Sequence, residues 1–254
     1  MPGKPGFSTK FSGTMIASKY GVGMGRIFRY ILIPVACWSL VSCASVRQAQ
    51  VKDTTRSFTT VVVDAGHGGK DNGAFRRYGG AEKNATLDVA LRLERKLRES
   101  QFKTVLTRSS DVFVPLDERA EISNRQKNAI FVSVHFNDSR RRGIHGFETY
   151  YHSPVARELA YRIQQNLVTL RGASNRGVKT ANFRVLRKAL YPAVLVECGF
   201  LSNRSEGRAA RSADYRDDLA DKIAAAIVDQ RHGKGTYRPP STVSDVADNT
   251  SHAE

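Results

Sequence analysis

Val61-Val62-Val63-Asp64-Ala65-Gly66-His67-Gly68-Gly69 decides how this chain folds. Three β-branched residues in a row make a short apolar run, which reads as a buried strand. The run ends among glycines, whose lack of a side chain leaves the backbone free to turn sharply. His67 sits at that turn. A strand end is a rigid support, and an imidazole placed there is positioned to hold a metal or move a proton. A strand followed by a Gly turn that happens to carry a His has the same appearance, so the rest of the chain must decide.

Outward from this stretch, strands alternate with helices. Residues 82–100 have the clearest helical period, with Leu87, Val89, Ala90, Leu91, Leu93 and Leu97 on one broad face and Asp88, Arg92 and Arg95 opposite. Extrapolated back one turn, Glu82 falls on the apolar face, where a carboxylate is costly unless paired, hydrogen-bonded or bound to metal. Residues 103–107 read as a strand. Pro115 opens a second helix to about Arg125, in the favoured first-turn position. Residues 129–134 form a strand ending at His135, and residues 147–151 form another. Residues 154–170 are helical. Residues 183–186 read as a short strand, and Ala193-Val194-Leu195-Val196 as the last, ending at Glu197. Leu219, Ile223 and Ile227 mark a final helix over 214–230. This alternation predicts an α/β sandwich: a mostly parallel, twisted central sheet with helices on both faces.

The 254 residues suffice for one sizeable domain plus tails, and 41% hydrophobic content suits a globular core. Net charge is +16. Residues 57–231 carry 30 Lys and Arg against 20 Asp and Glu, so much of the excess belongs to the folded part. Such a balance suits a membrane surface or an acidic polymer. Nucleic acid is not expected, because no Lys/Arg run exceeds Arg140-Arg141-Arg142 and no aromatic residues alternate with the basic ones.

The N-terminus reads as an address. Arg26 and Arg29 precede 13 mostly apolar residues, Tyr30 to Ser42, too few for a comfortable membrane span and the size of a secretory h-region. Leu40-Val41-Ser42-Cys43 resembles the bacterial lipobox, in which the Cys is lipidated and becomes the mature N-terminus. Ordinary signal cleavage nearby and an uncleaved anchor are the rivals. Residues 1–43 are therefore read as a signal segment, with Met24 a plausible true start. Residues 44–57 read as a linker, 58–231 as the catalytic domain and 232–254 as a disordered tail. Cys37 lies in the signal and Cys43 is the lipid candidate, which leaves Cys198 alone in the domain without a disulfide partner.

Carboxyl ends of parallel strands share one edge, where sites form. His67, His135 and Glu197 all follow apolar strand runs, and Glu82 begins the helix after the first of them. Two imidazoles and a carboxylate are a familiar set for catalytic zinc, and a second carboxylate suits proton transfer to a leaving amine. The long gaps between these residues carry less information than a compact motif.

Several ordered motifs together resemble the zinc-dependent N-acetylmuramoyl-L-alanine amidases of the amidase type 3 family. They are Val63 to Gly69, Glu82 with Asn84, Leu106-Thr107-Arg108, Pro115-Leu116 through Glu118-Arg119 with Asn124, Phe131 to Asn137, Gly146-Phe147-Glu148 and Leu195 to Asn203. The resemblance spans about Thr60 to Val228. It implies that His67, Glu82 and His135 bind one Zn²⁺ and that Glu197 is the catalytic carboxylate. The implied substrate is peptidoglycan, cut between N-acetylmuramic acid and L-alanine. The implied setting is the cell envelope on the periplasmic side, with a monomer held at the membrane by its N-terminal lipid. Asp138 and Cys198 depart from the family pattern, since small residues are usual at both. Some members carry a blocking helix after the strand matching residues 147–151. Here only His152 and Ser153 precede Pro154, too few for such a helix.

Other polar residues have plainer readings. Asp64 orients a ligand or the His67 loop, His145 lies in a surface turn, and Cys198 is a packed thiol. Arg184 and Arg187 read first as a solvated strand face and second as partners for stem-peptide carboxylates. A related zinc peptidase cutting within the stem peptide, or a non-catalytic wall-binding lipoprotein, are the alternative functions.

Overall fold

The computed structural model describes residues 50–141, 143–170 and 172–233. The signal segment, Cys37, Cys43 and the tail beyond Gly233 lie outside the described residues. In chain order the elements are β1 (Thr60–Ala65), β2 (Phe75–Arg76), β3 (Gly80–Ala81), α1 (Glu82–Glu99), β4 (Lys103–Leu106), α2 (Leu116–Asn124), β5 (Ala129–Asn137) and β6 (Phe147–Tyr151). A 3-10 turn (Pro154–Ala156) then leads into α3 (Arg157–Leu167), β7 (Asn175–Thr180), α4 (Arg184–Arg187), β8 (Ala193–Phe200), α5 (Arg204–Ala209) and α6 (Ala213–His232).

Six strands form one sheet in the order β4-β1-β5-β8-β6-β7, while β2 and β3 make a separate hairpin. Within the six-stranded sheet β1 runs parallel to β4 and β5, β5 to β8, and β6 to β7, while β6 and β8 are antiparallel. The mostly parallel sheet is therefore as the alternation predicted. Strand periodicity sends successive side chains to opposite faces. Val61, Val63, Val132, Val134 and Val196 pack against Leu93 of α1, Ile163 of α3 and Ile223 of α6. Val62, Phe131 and Leu195 pack against Val185 and Leu186 of α4 and Ile122 of α2. A sheet buried on both faces explains why its strands read as continuous apolar runs. Each fully buried leucine here contributes about 1.5–3 kcal/mol.

Three local expectations are corrected. Residues 183–186 are not a strand: Arg184–Arg187 is a short helix, with Val185 and Leu186 packed together on the second core. A stretch of four residues with three apolar ones is too short for its periodicity to distinguish strand from helix. The edge strand is instead β7, whose Asn-Arg-Gly-Val-Lys-Thr sequence buries only Val178 and so has no apolar alternation. The central strands also run further than expected. β5 continues through His135 to Asn137 and β8 through Glu197 to Phe200, because Phe136, Cys198 and Phe200 keep alternating into buried positions.

The linker boundary moves as well. The Lys52 amide donates to the Leu190 carbonyl at 2.9 Å, and the buried Thr54 hydroxyl donates to the Ala129 carbonyl at 2.5 Å. Arg56 reaches Glu158 at 2.6 Å and the Gln230 carbonyl at 2.9 Å. These contacts fasten residues 52–56 to the domain although their polar sequence reads as linker. None of the helices among the described residues is long and apolar enough to cross a membrane.

Candidate metal centre

The site begins with the turn after β1. His67 has φ 60°, which is uncommon for a residue with a side chain, and Gly68 and Gly69 follow at φ 125° and 58°. Two buried guanidiniums hold this turn. Arg108 donates to the carbonyls of Ala65 (2.9 Å) and Gly66 (2.7 Å), and Arg119 to those of Ala65 (2.6 Å) and His67 (2.6 Å). Gly66 is required by packing, since a Cβ there would lie 2.4 Å from the His135 ring.

Asp64 serves the turn, and it does so through Arg119. It is fully buried and accepts from Arg119 (2.8 Å), Thr107 (2.6 Å) and Ser133 (2.6 Å). Burial alone pushes its carboxyl up, but the Arg119 charge and the two hydroxyls outweigh that and hold it below the usual carboxylate range. The imidazole has a different partner. His67 Nδ1 lies 2.8 Å from Asp71 Oδ2. An ionised carboxylate only accepts, so with a metal on Nε2 the ring would keep its proton on Nδ1, toward Asp71.

His67 Nε2 faces Glu82. Glu82 is only 4% exposed, and its Oε1 lies 3.0 Å from His67 Nε2 and 3.1 Å from His135 Nδ1. The amides of Phe136 and Ala74 donate to Oε1 and Oε2 at 3.0 and 2.9 Å. Gly73, at φ 61°, makes room, because a Cβ there would lie 2.5 Å from Glu82 Oε2. Burial pushes the Glu82 carboxyl up, yet the contacts with His135 and His67 prevail and hold it well below its usual range. For His67, burial favours the neutral ring, while Glu82 and Asp71 together raise its proton affinity.

Two imidazole nitrogens and a carboxylate oxygen, all within 4.8 Å of one another, make a metal-binding set. Ligands at zinc distances in a tetrahedron stand roughly 3.3 Å apart, close to the 3.0 and 3.1 Å separations found here. The donors suit zinc, and a buried carboxylate between two imidazoles is what a cation stabilises.

Glu197 stands beside this set. It is the register partner of His135 on β5 and of Glu148 on β6, so it lies centrally in the row. Its Oε2 is shut off from solvent and has no hydrogen-bond partner. Burial, then the charges of Glu82 and Glu148, push its carboxyl well above the usual range. The four expected residues thus converge. A cleft of about 750 Å³ opens over them, lined also by Asp71, Phe113, Leu116, Asp138, Phe183 and Arg184.

Other readings resolve as follows. Arg184 lies on a helix, and its guanidinium is held by Asp117 at 2.5 and 2.6 Å. Cys198 is buried in the opposite core, its thiol pushed up by burial. Asp138 forms a two-bonded ion pair with Arg76 of the β2–β3 hairpin, with Nε–Oδ1 at 2.6 Å. His145 is exposed, its Nδ1 2.7 Å from the Gly143 carbonyl. Sequence reasoning assigned no role to Asp71, Arg108, Arg119 or Glu148. Three of them stood in the recognised motifs as charges next to apolar strand or helix residues, whereas Asp71 had no signal beyond lying four residues after His67.

Residues 61–229 match the family model described as N-acetylmuramoyl-L-alanine amidase. The chain is 38% identical over 168 residues to the N-acetylmuramoyl-L-alanine amidase LytC of Bacillus subtilis, covering 65% of this chain and 34% of LytC. It therefore spans about a third of that relative's length. Among solved structures, it resembles the amidase AmiC2 of Nostoc punctiforme at 37% identity and TM-score 0.64, covering 66% of this chain and 94% of that one. It also resembles the catalytic domain of CwlV from Bacillus (Paenibacillus) polymyxa var. colistinus, at 35% identity and TM-score 0.66, covering 70% and 100%.

Proposed function

The chain belongs to the N-acetylmuramoyl-L-alanine amidase family, and from that premise we propose that it is a zinc hydrolase cutting peptidoglycan between N-acetylmuramic acid and L-alanine. One observation carries the chemistry: a His67–Glu82–His135 donor set lies beside the half-buried carboxylate of Glu197, whose inner oxygen Oε2 has no partner.

His67, Glu82 and His135 would hold the zinc ion, which would supply Lewis acidity toward the amide carbonyl and the attacking water. The Glu197 carboxylate takes a proton from the attacking water as oxygen bonds to the carbonyl carbon. It then delivers that proton to the amide nitrogen as the C–N bond breaks. The amine of L-alanine leaves and, taking up the second proton of the water, ends as an ammonium, while the lactyl side ends as a carboxylate. Asp71 fixes the His67 ring, while Arg108 and Arg119 hold the turn beneath it, so the donors are pre-positioned.

Digestion of purified peptidoglycan followed by mass spectrometry tests the reading. The expected product is an intact stem peptide with a free N-terminal L-alanine. Peptides cut internally, with L-alanine still on the sugar, would make the protein a stem peptidase instead.

The setting follows from the substrate and the N-terminal pattern. We infer action outside the cytoplasm by a monomer tethered through a lipid on Cys43. Two acyl signals give stable anchoring where one chain gives only reversible binding. Cys43→Ser is expected to shift the protein from the membrane to the soluble fraction and to abolish palmitate labelling. Unchanged labelling would remove Cys43 as the acceptor.

A further inference from the structure

Large apolar side chains are seldom left in solvent without a reason, and here several gather at one place. Val112, Phe113 and Leu116 are 48%, 43% and 53% exposed, and Phe113 and Leu116 line the cleft over the metal donors. The segment that carries Phe113 is not loose. Its backbone packs directly on the turn after His67: a Cβ on Gly68 would lie 2.2 Å from the Val112 carbonyl oxygen, and one on Gly69 2.6 Å from the Phe113 nitrogen. Asp111 accepts the Gly69 amide at 2.7 Å and pairs with Lys83 at 2.8 Å, while Lys83 also donates to the Gly69 carbonyl at 2.7 Å. Lys70 Nζ stands 4.6 Å from the centroid of the Phe113 ring. The backbone beneath the exposed ring is thus held in place, so part of its ordering cost is met before anything binds.

We infer that Phe113, with Leu116 beside it, is the platform on which the pyranose ring of the muramyl residue stacks, an inference that rests on the amidase reading above. The scissile amide has a sugar side and a peptide side. The peptide side carries carboxylates, which call for available cations. Both arginines lining the cleft are already committed, Arg119 to Asp64 and Arg184 to Asp117. The Phe113 wall instead offers an aromatic face and a leucine, which match the C–H face of a sugar ring. Two peptide units separate Gly69 from His67, so the Phe113 backbone, packed on Gly69, lies within roughly 10 Å of His67. A ring joined to the reacting carbonyl through a lactyl arm bridges that distance. Residues that insert into a membrane project from a convex surface, whereas Phe113 and Leu116 face into a cleft.

The test compares the full chain with Phe113→Ala, Phe113→Trp, Phe113→Leu and Leu116→Ala, using N-acetylmuramoyl-tripeptide as the soluble substrate. Phe113→Ala is expected to raise KM roughly five- to tenfold with kcat within about twofold. Trp is expected to restore the parent KM, Leu to leave it raised, and Leu116→Ala to raise it in the same direction. Unchanged KM in the Ala variants, or full activity of Phe113→Leu, would overturn the stacking platform. Loss of binding to phosphatidylglycerol vesicles with KM unchanged would overturn it in favour of a membrane contact. A parent protein that fails to free L-alanine from the sugar would defeat the amidase reading itself, whereas a parent that does so with an indifferent Phe113 would defeat only this inference.

Discussion

Glu197 and Glu148 face each other as register partners across the antiparallel β6–β8 pair, yet they differ completely in what surrounds them. Glu148 accepts from Arg176 (2.6 Å), Lys179 (2.8 Å), Tyr150 (2.7 Å) and Asn137 (2.9 Å). Burial pushes its carboxyl up, but these donors prevail and hold it below the usual range. Glu197 Oε2 has no such donor, and burial, with the charge of Glu148 among its neighbours, drives its carboxyl the other way. Neighbouring carboxylates whose environments drive their proton affinities apart divide their roles, one staying ionised and one exchanging protons.

Glu197→Gln is accordingly expected to lower kcat by about 10²–10⁴-fold while keeping the fold and the bound zinc, because the amide cannot take the proton. Steady-state kinetics and metal analysis on the same sample check this. Loss of zinc along with activity would make Glu197 a ligand.

The second prediction concerns the hydrogen bond from His67 to Asp71. Asp71→Ala removes the acceptor that fixes the Nδ1–H tautomer. Zinc affinity is expected to fall about 10–100-fold, measured by competition with a chelator. His67→Ala should abolish stoichiometric binding. Equal affinity in parent and Asp71→Ala would show that the ring is oriented by other means.

Buried charge gives a stability prediction. Asp64→Asn leaves Arg119 without its carboxylate, a loss of about 3 kcal/mol or more for a buried pair. The folded pKa of Asp64 lies below its unfolded value, so the stabilisation is complete above about pH 4, the unfolded pKa, and drains away as pH falls through the folded pKa. Urea midpoints of parent and variant should therefore differ widely at pH 7 and converge in acid. A gap independent of pH would contradict the assignment.

The domain boundary supplies the last prediction. A fragment of residues 50–233 should cleave peptidoglycan without an activator, since only His152 and Ser153 join β6 to the 3-10 turn and leave no span for a covering helix. A fragment beginning at residue 57 loses the Thr54–Ala129 and Arg56–Glu158 contacts and should be less stable by about 1–3 kcal/mol. Turbidity assays with and without periplasmic extract, and thermal melts of both fragments, are the measurements. Dependence on an extract protein, or identical melts, would count against the respective claim.

Much of this was written into the local sequence. Valine-rich runs specified the central strands, the leucine period specified α1, and the placement of Glu82 on the apolar face of that helix announced a carboxylate in need of a partner. Those signals are local because burial on both sheet faces imposes them residue by residue. The arrangement of charges was not local. Glu148 opposite Glu197, Asp64 beneath Arg119, and Asp138 across from Arg76 are pairings between elements tens of residues apart, and no periodicity encodes a partner. The edge strand β7 and the short helix α4 escaped for a related reason: with few apolar residues to repeat, their conformation is set by the neighbours they meet. Sequence alone determined which residues would converge at one sheet edge. Only the tertiary structure decided which carboxylate is saturated with donors and which is left free to carry a proton, because that depends on desolvation and on distances that exist only after folding.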